Sequence, residues 1–402
     1  MRVGNVCCLA LLTALGTGAA CGRPVLSTAA APPAPAVLRV GTSGDYAPFS
    51  FAHDGVPAGM DVEIAQRLGR DFGLPVEFVS VPWSNLGAAT QRGDFDIAMG
   101  GVTMRADRAL VGRYSRPYAT VAAVALVRAA DARRLATAAD LDRPGVRIAV
   151  NAGGHLERVA EALFPHAALR PAADNRAVPQ RLLDGHADAA FTDTAEMREW
   201  LRPGLRVVGP FRFDHKAYLL PAGSDALAAR LDEWIAAREA DGWLDEQRTH
   251  WLGAGASMDA DASARESVAA FVGLRLELMP AVAAAKRAAG LPIEDRAQEE
   301  RVIARARAVS ARPDHTEAVY RQLIEMAKEV QRGAPAPAPA ASLDALRDAI
   351  GRVDAQLVGE IDRAPAGSVE TWRAALARTV GAPGLPAASL EKLAAALAAG
   401  SR

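Results

Sequence analysis

The segment Phe191-Thr192-Asp193-Thr194-Ala195-Glu196 sets two carboxylates three residues apart. It follows a short run, Ala187–Ala190, and leads into a helical pattern, Met197–Leu201. It therefore reads as the carboxyl end of a strand entering a helix, the place where open α/β sheets bind ligands. One carboxylate there could hold an amine while the other donates a proton. The same D-x-x-E spacing is also that of a helix capping box. Spacing alone leaves both readings open.

The elements around this segment follow a regular alternation. Strand patterns fall at Val37–Gly41, Val76–Val81, Phe95–Met99, Val121–Val127, Val146–Val150, Ala187–Phe191 and Lys216–Leu220. Helical patterns fall between them, at Asp61–Asp71, Leu156–Leu163 and Val178–Leu183, and close the region at Ala226–Arg238 and Leu244–Leu252. Strands alternating with helices predict a parallel sheet. From Ala254 to Arg265 the chain is small and acidic, which reads as a linker. Beyond it only helices are expected: Ser267–Ala289, Asp295–Ala311, Thr316–Gln331, Leu343–Ile361, Val369–Val380 and Leu390–Ala399, interrupted by a Pro/Ala-rich loop at Gly333–Pro339. The fold class is thus multidomain, an α/β unit followed by an all-α unit.

The 402 residues carry a formal net charge of −1, which gives no basis for binding nucleic acid. Half are hydrophobic, enough for substantial cores. The three cysteines, Cys7, Cys8 and Cys21, all lie at the start. There, Arg2, the apolar run Val6–Leu15 and small residues up to Ala20 make residues 1–21 a secretory signal peptide. Cys21 after Gly18-Ala19-Ala20 resembles a lipoprotein cleavage site, and simple cleavage after a small residue is the alternative. The only membrane contact expected is through such an anchor. Residues 22–36 form a Pro/Ala tether.

Gly41-Thr42-Ser43-Gly44-Asp45-Tyr46, the helix start Gly59-Met60-Asp61, Gly93-Asp94-Phe95-Asp96-Ile97 and Thr103-Met104-Arg105-Ala106-Asp107-Arg108 together resemble the polar-amino-acid-binding type of periplasmic solute-binding protein. The resemblance spans residues 37–252. It implies a two-lobed fold, with one lobe at about 37–128 and 219–252 and the other at about 129–218. Within that superfamily the chain is similar to cyclohexadienyl dehydratase. The stretches that carry this likeness are Trp83-Ser84-Asn85-Leu86, Asn151-Ala152-Gly153-Gly154, Asp174-Asn175, Thr192–Glu196 and Lys216–Pro221. This implies a dehydratase acting on prephenate or arogenate, with Glu196 as general acid and Asn151 beside it. Arg108 and Thr103 would hold a substrate carboxylate, and Asp193 would take an amino group. Trp83 would wall the ring, with an ordinary core tryptophan as the alternative. Lys216 is expected near the pocket, with a surface lysine as the alternative. His155 is set aside as non-catalytic.

Loss of CO₂ and water from prephenate makes its ring aromatic, so the barrier lies in expelling hydroxide. A general acid at that oxygen contributes roughly 10²–10⁴ in rate. To keep its proton, Glu196 needs a pKa above the free value of about 4.3, which burial and a neighbouring carboxylate supply.

In the helical unit, Arg275 and Lys286 stand eleven residues apart, almost a whole number of turns, so both cations are expected on one helix face. A solvated basic face is the plain alternative. With Leu291-Pro292-Ile293-Glu294-Asp295, this stretch resembles the secreted, all-helical gamma-type chorismate mutase over residues 266–400. The resemblance implies that Arg275 and Arg347 grip carboxylates, Lys286 and Gln331 donate to the ether oxygen, Asp295 keeps the spacing and Glu299 accepts from the ring hydroxyl. Gln298 stands where that family has an arginine, and Ala327 where a small hydroxyl residue is common. Neither activity calls for a metal or a cofactor. The two resemblances predict consecutive steps, chorismate to prephenate and then prephenate to phenylpyruvate (or arogenate to phenylalanine), in an exported protein that can form a homo-oligomer. The rival reading is a lipid-anchored amino-acid receptor of a transporter with an inactive helical appendage.

Overall fold

A computed structural model describes residues 37–335, 341–380 and 385–400. The signal peptide, the tether, Cys21 and part of the Pro/Ala loop lie outside the described residues.

The α/β unit opens with β1 (Leu38–Thr42) and three short strands, β2 (Asp45–Tyr46), β3 (Ser50–His53) and β4 (Val56–Ala58), which pair among themselves. Then come α1 (Met60–Phe72), β5 (Val76–Ser80), α2 (Leu86–Arg92), β6 (Ile97–Ala98), α3 (Ala106–Ala109) and a long β7 (Gly112–Arg128). These lead to α4 (Ala138–Leu141), β8 (Arg147–Asn151), α5 (His155–Leu163), β9 (Ala168–Ala172), α6 (Ala177–Leu183), β10 (Ala189–Asp193) and α7 (Met197–Trp200). The second long strand, β11 (Leu205–Pro221), precedes α8 (Asp225–Ala240) and α9 (Trp243–Leu252).

The main sheet runs β5-β1-β6-β11-β7-β10-β8-β9. Its two flanks are parallel, and the central β7–β11 pair is antiparallel. These two strands, 17 residues each, pass from one flank to the other. β11 meets the first flank through Leu219 opposite Ala98, and β7 meets the second through Ala123–Val127 opposite β10. The second flank therefore already includes β7 residues before 129, the boundary expected from sequence. β7 reads Thr120-Val-Ala-Ala-Val-Ala-Leu-Val because both of its faces are covered, which removes any need for alternating polar residues. α1 begins with Asp61 and Glu63 in its first turn and stops at Gly73 in the left-handed conformation, matching the helix dipole and the usual glycine terminator.

β11 is much longer than the expected Lys216–Leu220. Its first half carries Gly209-Pro210 and alternating charges, and its register shifts between Val208 and Arg212, so no strand pattern shows there. The expected linker at Ala254–Arg265 is also shorter. Asp259 accepts from Ala262 N and starts α10 (Ala260–Glu277), and the connection before it is pinned by Arg248, which donates to Met258 O at 2.9 Å.

The single helix expected at Ser267–Ala289 is two, α10 and α11 (Met279–Ala288), parted at Leu278. Pro280 has no N–H to donate and crowds the preceding turn, which stops one helix and starts the next. After them come α12 (Arg296–Val309), α13 (Pro313–Gly333), α14 (Leu343–Arg363), α15 (Val369–Thr379) and α16 (Ala387–Ala399). One continuous apolar core joins this unit to the first lobe and contains Leu86, Phe95, Tyr114 and Leu219 along with Phe271, Leu323, Leu357 and Trp372. Arg352 Nη2 donates to Ala109 O at 2.9 Å, Gln356 Nε2 to Tyr114 O at 2.8 Å, and Arg116 pairs with Glu360 at 3.1 Å.

Candidate active sites

Between the lobes lies a small cavity. Its chemistry begins at the end of β10. Asp193 Oδ1 accepts from the backbone N–H groups of Ala195 and Glu196, each at 3.0 Å. That is one half of a capping box. The other half is missing, because the Glu196 carboxyl does not turn back. It accepts instead from Thr192 Oγ1 at 2.7 Å and from Asn175 Nδ2. Asp193 Oδ2 faces the Tyr46 hydroxyl and, 3.6 Å away, Lys216 Nζ. The D-x-x-E spacing thus caps the turn and also delivers both carboxyls to the cavity.

Glu196 is only 3% exposed. Burial first, and the Asp193 charge second, push its carboxyl well above the ordinary range, and bonds from Thr192 and Asn175 with the Lys216 charge only partly oppose them. Both effects favour the protonated carboxyl.

The first lobe supplies the opposing wall. Arg108 is buried on α3 and donates from Nη1 to Thr103 O at 2.9 Å, with its guanidinium 5.7 Å from the centre of the Trp83 ring. Burial lowers its pKa from an ordinary value so high that the side chain stays cationic. Thr103 Oγ1 accepts from Lys216 Nζ at 2.9 Å. Trp83 is fixed by its indole N–H donating to Asp45 Oδ1 at 3.0 Å. Asp61 anchors the floor: it accepts from Gly101 N and from the Tyr118 hydroxyl, each at 2.6 Å, and burial pushes its carboxyl up to about 6. Asn151, at the end of β8, and His155, at the start of α5, complete the far side.

The helical unit has its own, larger cavity. Arg275 comes from α10 and Lys286 from α11, so the two cations lie on separate helices yet line one cavity. Arg275 Nε donates to Asp354 Oδ1 at 2.8 Å, and Lys286 Nζ to Ile293 O at 2.6 Å. Burial lowers the Lys286 amine, against the pull of Asp295 and Glu299. Asp295 caps α12 through Gln298 N at 3.0 Å. Glu299 lies 3.4 Å from Lys328 Nζ. Gln331 Nε2 rests 3.6 Å from Met279 Sδ, and its buried Oε1 has no hydrogen-bond partner. Arg347 pairs with Asp344 at the rim. Gln298 Oε1 accepts from the Arg301 guanidinium at 2.8 and 3.1 Å, and Arg301 lines the cavity with Ala327.

Residues 38–254, more than half of the 402-residue chain, match the model of bacterial extracellular solute-binding proteins, family 3. The chain belongs to that family. Residues 268–332 match the model of chorismate mutase type II. Cyclohexadienyl dehydratase of Pseudomonas aeruginosa is 37% identical over 222 residues, covering 54% of this chain and 82% of that protein. The L-cystine-binding protein TcyJ of Escherichia coli is 28% identical over 54% of this chain and 83% of its own length. Among solved structures, an ancestral amino acid-binding protein described as a precursor of cyclohexadienyl dehydratase is 32% identical, with a TM-score of 0.52 over 54% of this chain and 96% of its own.

In this family 3 chain, the interlobe cavity gathers the seven residues expected for it: Trp83, Thr103, Arg108, Asn151, Asp193, Glu196 and Lys216. The helical cavity likewise gathers Arg275, Lys286, Asp295, Gln298, Glu299, Gln331 and Arg347. Sequence reasoning passed over Tyr46 and Asn175, although both sit in stretches that carry the resemblance, next to Asp45 and Asp174. It set His155 aside, yet His155 lines the cavity. In the helical unit it passed over Lys328 and Arg305, which also line the cavity.

Proposed function

We propose that this chain is a bifunctional exported enzyme of phenylalanine biosynthesis. The helical unit converts chorismate to prephenate. The two-lobed unit converts prephenate to phenylpyruvate, or arogenate to phenylalanine. A lipid on Cys21 would hold the enzyme at a membrane, and its units can self-associate.

The observation that carries the dehydratase reading is the buried Glu196, whose carboxyl burial and the neighbouring Asp193 push well above the ordinary range. An amino-acid receptor needs an anion but has no use for such an acid. Arg108 and Thr103 would take the side-chain carboxylate, and a planar guanidinium suits that bidentate task. Trp83 would lie along the ring. Both Glu196 oxygens already accept hydrogen bonds from protein groups, which leaves the carboxyl proton free to go to the leaving hydroxyl. The hydroxyl then departs as water while the ring carboxylate leaves as CO₂, its bonding electrons completing the aromatic ring. Asn151 would orient the hydroxyl.

The mutase step needs no acid or base. It needs a compact conformer and positive charge near the breaking ether. Arg275 and Arg347 would hold the carboxylates, Lys286 and Gln331 would face the ether oxygen, and Glu299 the ring hydroxyl. Gln331 Nε2, whose partner is only the weak acceptor Met279 Sδ at 3.6 Å, and Lys286 in the same cavity support this. Asp295 fixes the start of α12.

The test is to give the purified protein prephenate and arogenate separately. Phenylpyruvate from prephenate, or phenylalanine from arogenate, is expected. Tight amino-acid binding with no turnover of either compound would instead favour a receptor.

A further inference from the structure

α3 carries Arg108, yet it is a single turn of four residues. So short a helix has no cooperative stability of its own, and its last carbonyls have no partner within it. What holds α3 therefore sets where the guanidinium points. The segment before it is tied within the first lobe: Arg105 N donates to the Tyr114 hydroxyl at 3.0 Å, and that hydroxyl donates to Thr103 O at 3.2 Å. The C-terminal side is tied by the helical unit. Arg352 of α14 donates from Nη2 to Ala109 O at 2.9 Å and to Leu110 O at 3.3 Å, and from Nε to Gly112 O at 3.3 Å. A guanidinium is always charged, and a cation at a helix C-terminus also suits the helix dipole.

Arg352 belongs to a stripe. Gln356 donates from Nε2 to Tyr114 O and to Asp232 Oδ2, each at 2.8 Å, and Glu360 pairs with Arg116 at 3.1 Å. Residues four apart share a helix face, so α14 lays one polar face along the opening residues of β7. Another part of the same helix lines the cavity of the helical unit, with Arg347, Gly351 and Asp354, and Arg352 lies outside that lining. We infer that Arg352 is a positioning residue of the dehydratase: by gripping the end of α3, it holds Arg108 where a substrate carboxylate meets it. The helical unit thus completes the carboxylate site of the two-lobed unit as well as carrying its own cavity. The assignment rests on the dehydratase reading.

In that reading Arg108 holds the side-chain carboxylate, which is present in substrate, transition state and product. Loosening its hold should therefore show in KM more than in kcat. R352A in the full chain should raise the prephenate KM about three- to tenfold while kcat stays within about threefold. R352K, which keeps a charge and donors at that place, should recover part of the loss. The chorismate mutase rate is the check on folding, and R352M, which keeps the apolar stem, is read instead if R352A fails it. A lost mutase rate in both variants overturns the assignment, because the residue then holds up the helical unit itself. The deciding measurement is a double-mutant cycle with R108M. In that background R352A should change kcat/KM for prephenate by less than about twofold, because the grip it serves is already gone. The same factor in both backgrounds marks a general loosening of the lobe and overturns the assignment, and so does an unchanged KM in R352A. A wild type that turns over no prephenate sinks the dehydratase reading separately. Prephenate affinity, followed by tryptophan fluorescence, then takes the place of KM in the same cycle. Equal affinity in wild type and R352A overturns the assignment, and no affinity in the wild type overturns both.

Discussion

Asp193 and Glu196 sit three residues apart and meet different environments. Asp193 lies beside Lys216 and accepts from two backbone N–H groups, while Glu196 is driven toward the neutral form by burial and by Asp193. E196Q keeps the shape and loses the proton, so dehydratase kcat should fall by about 10²–10⁴ with the mutase rate unchanged. The sign of the pH effect follows from the raised pKa. The acid works while protonated, so kcat for dehydration should fall as pH rises through the elevated value, and it should not fall on the acid side from this group. A rate that instead rises with pH over that range would contradict the assignment. The two carboxyls were legible in the sequence because they share one turn. Tyr46 was not, because it meets Asp193 across 147 residues of chain and no local pattern encodes such a meeting. Asn175 meets Glu196 across 21 residues.

At the scale of elements, turns and breaks place the chemistry. Gly101 sits at φ +75, and a Cβ there would lie 2.4 Å from Tyr46 Cε1. G101A should therefore cost about 1–3 kcal/mol through strain and displace the ring that holds Asp193. Thermal unfolding should shift down by several degrees, and dehydratase activity should suffer more than mutase activity. In the helical unit, Pro280 parts α10 from α11, so the face shared by Arg275 and Lys286 is made by two packed helices. Spacing revealed the partnership of the two cations, while Pro280, thirteen residues into the expected Ser267–Ala289 helix, carried the signal of the break between them. K286A should lower mutase kcat by about 10²–10³ and spare the dehydratase. Because burial lowers the Lys286 amine, the wild-type mutase rate should decline with rising pH earlier than an ordinary lysine would dictate. The alternation of strands and helices was legible from the apolar runs. The first half of β11 was not, because its Gly209-Pro210 and charged residues look like a loop until β7 pairs with them.

At the scale of the molecule, the two units share one apolar core and a buried pair, Arg116–Glu360. Burial outweighs the arginine and pushes Glu360 from an ordinary 4.5 up to about 7. The folded state therefore binds that proton more tightly than the unfolded chain. Its contribution to stability is fully present below about 4.5 and is lost as pH rises through about 7. E360Q should flatten the pH dependence of stability in that window. The shared core also predicts that thermal unfolding is a single transition, coincident by circular dichroism and tryptophan fluorescence. Two separated transitions would show that the units are independent. Sequence made each unit recognisable on its own. Their joint core was not legible, because the faces that meet, Leu86, Phe95 and Leu219 against Phe271 and Leu357, each read as the ordinary inside of their own unit.

The central claim is that one chain carries two consecutive activities in two separate cavities. Chorismate given to the purified wild-type protein should yield phenylpyruvate, with E196Q stopping at prephenate and K286A leaving chorismate largely unconverted while still consuming added prephenate. A wild-type protein that forms phenylpyruvate from neither chorismate nor prephenate would contradict it.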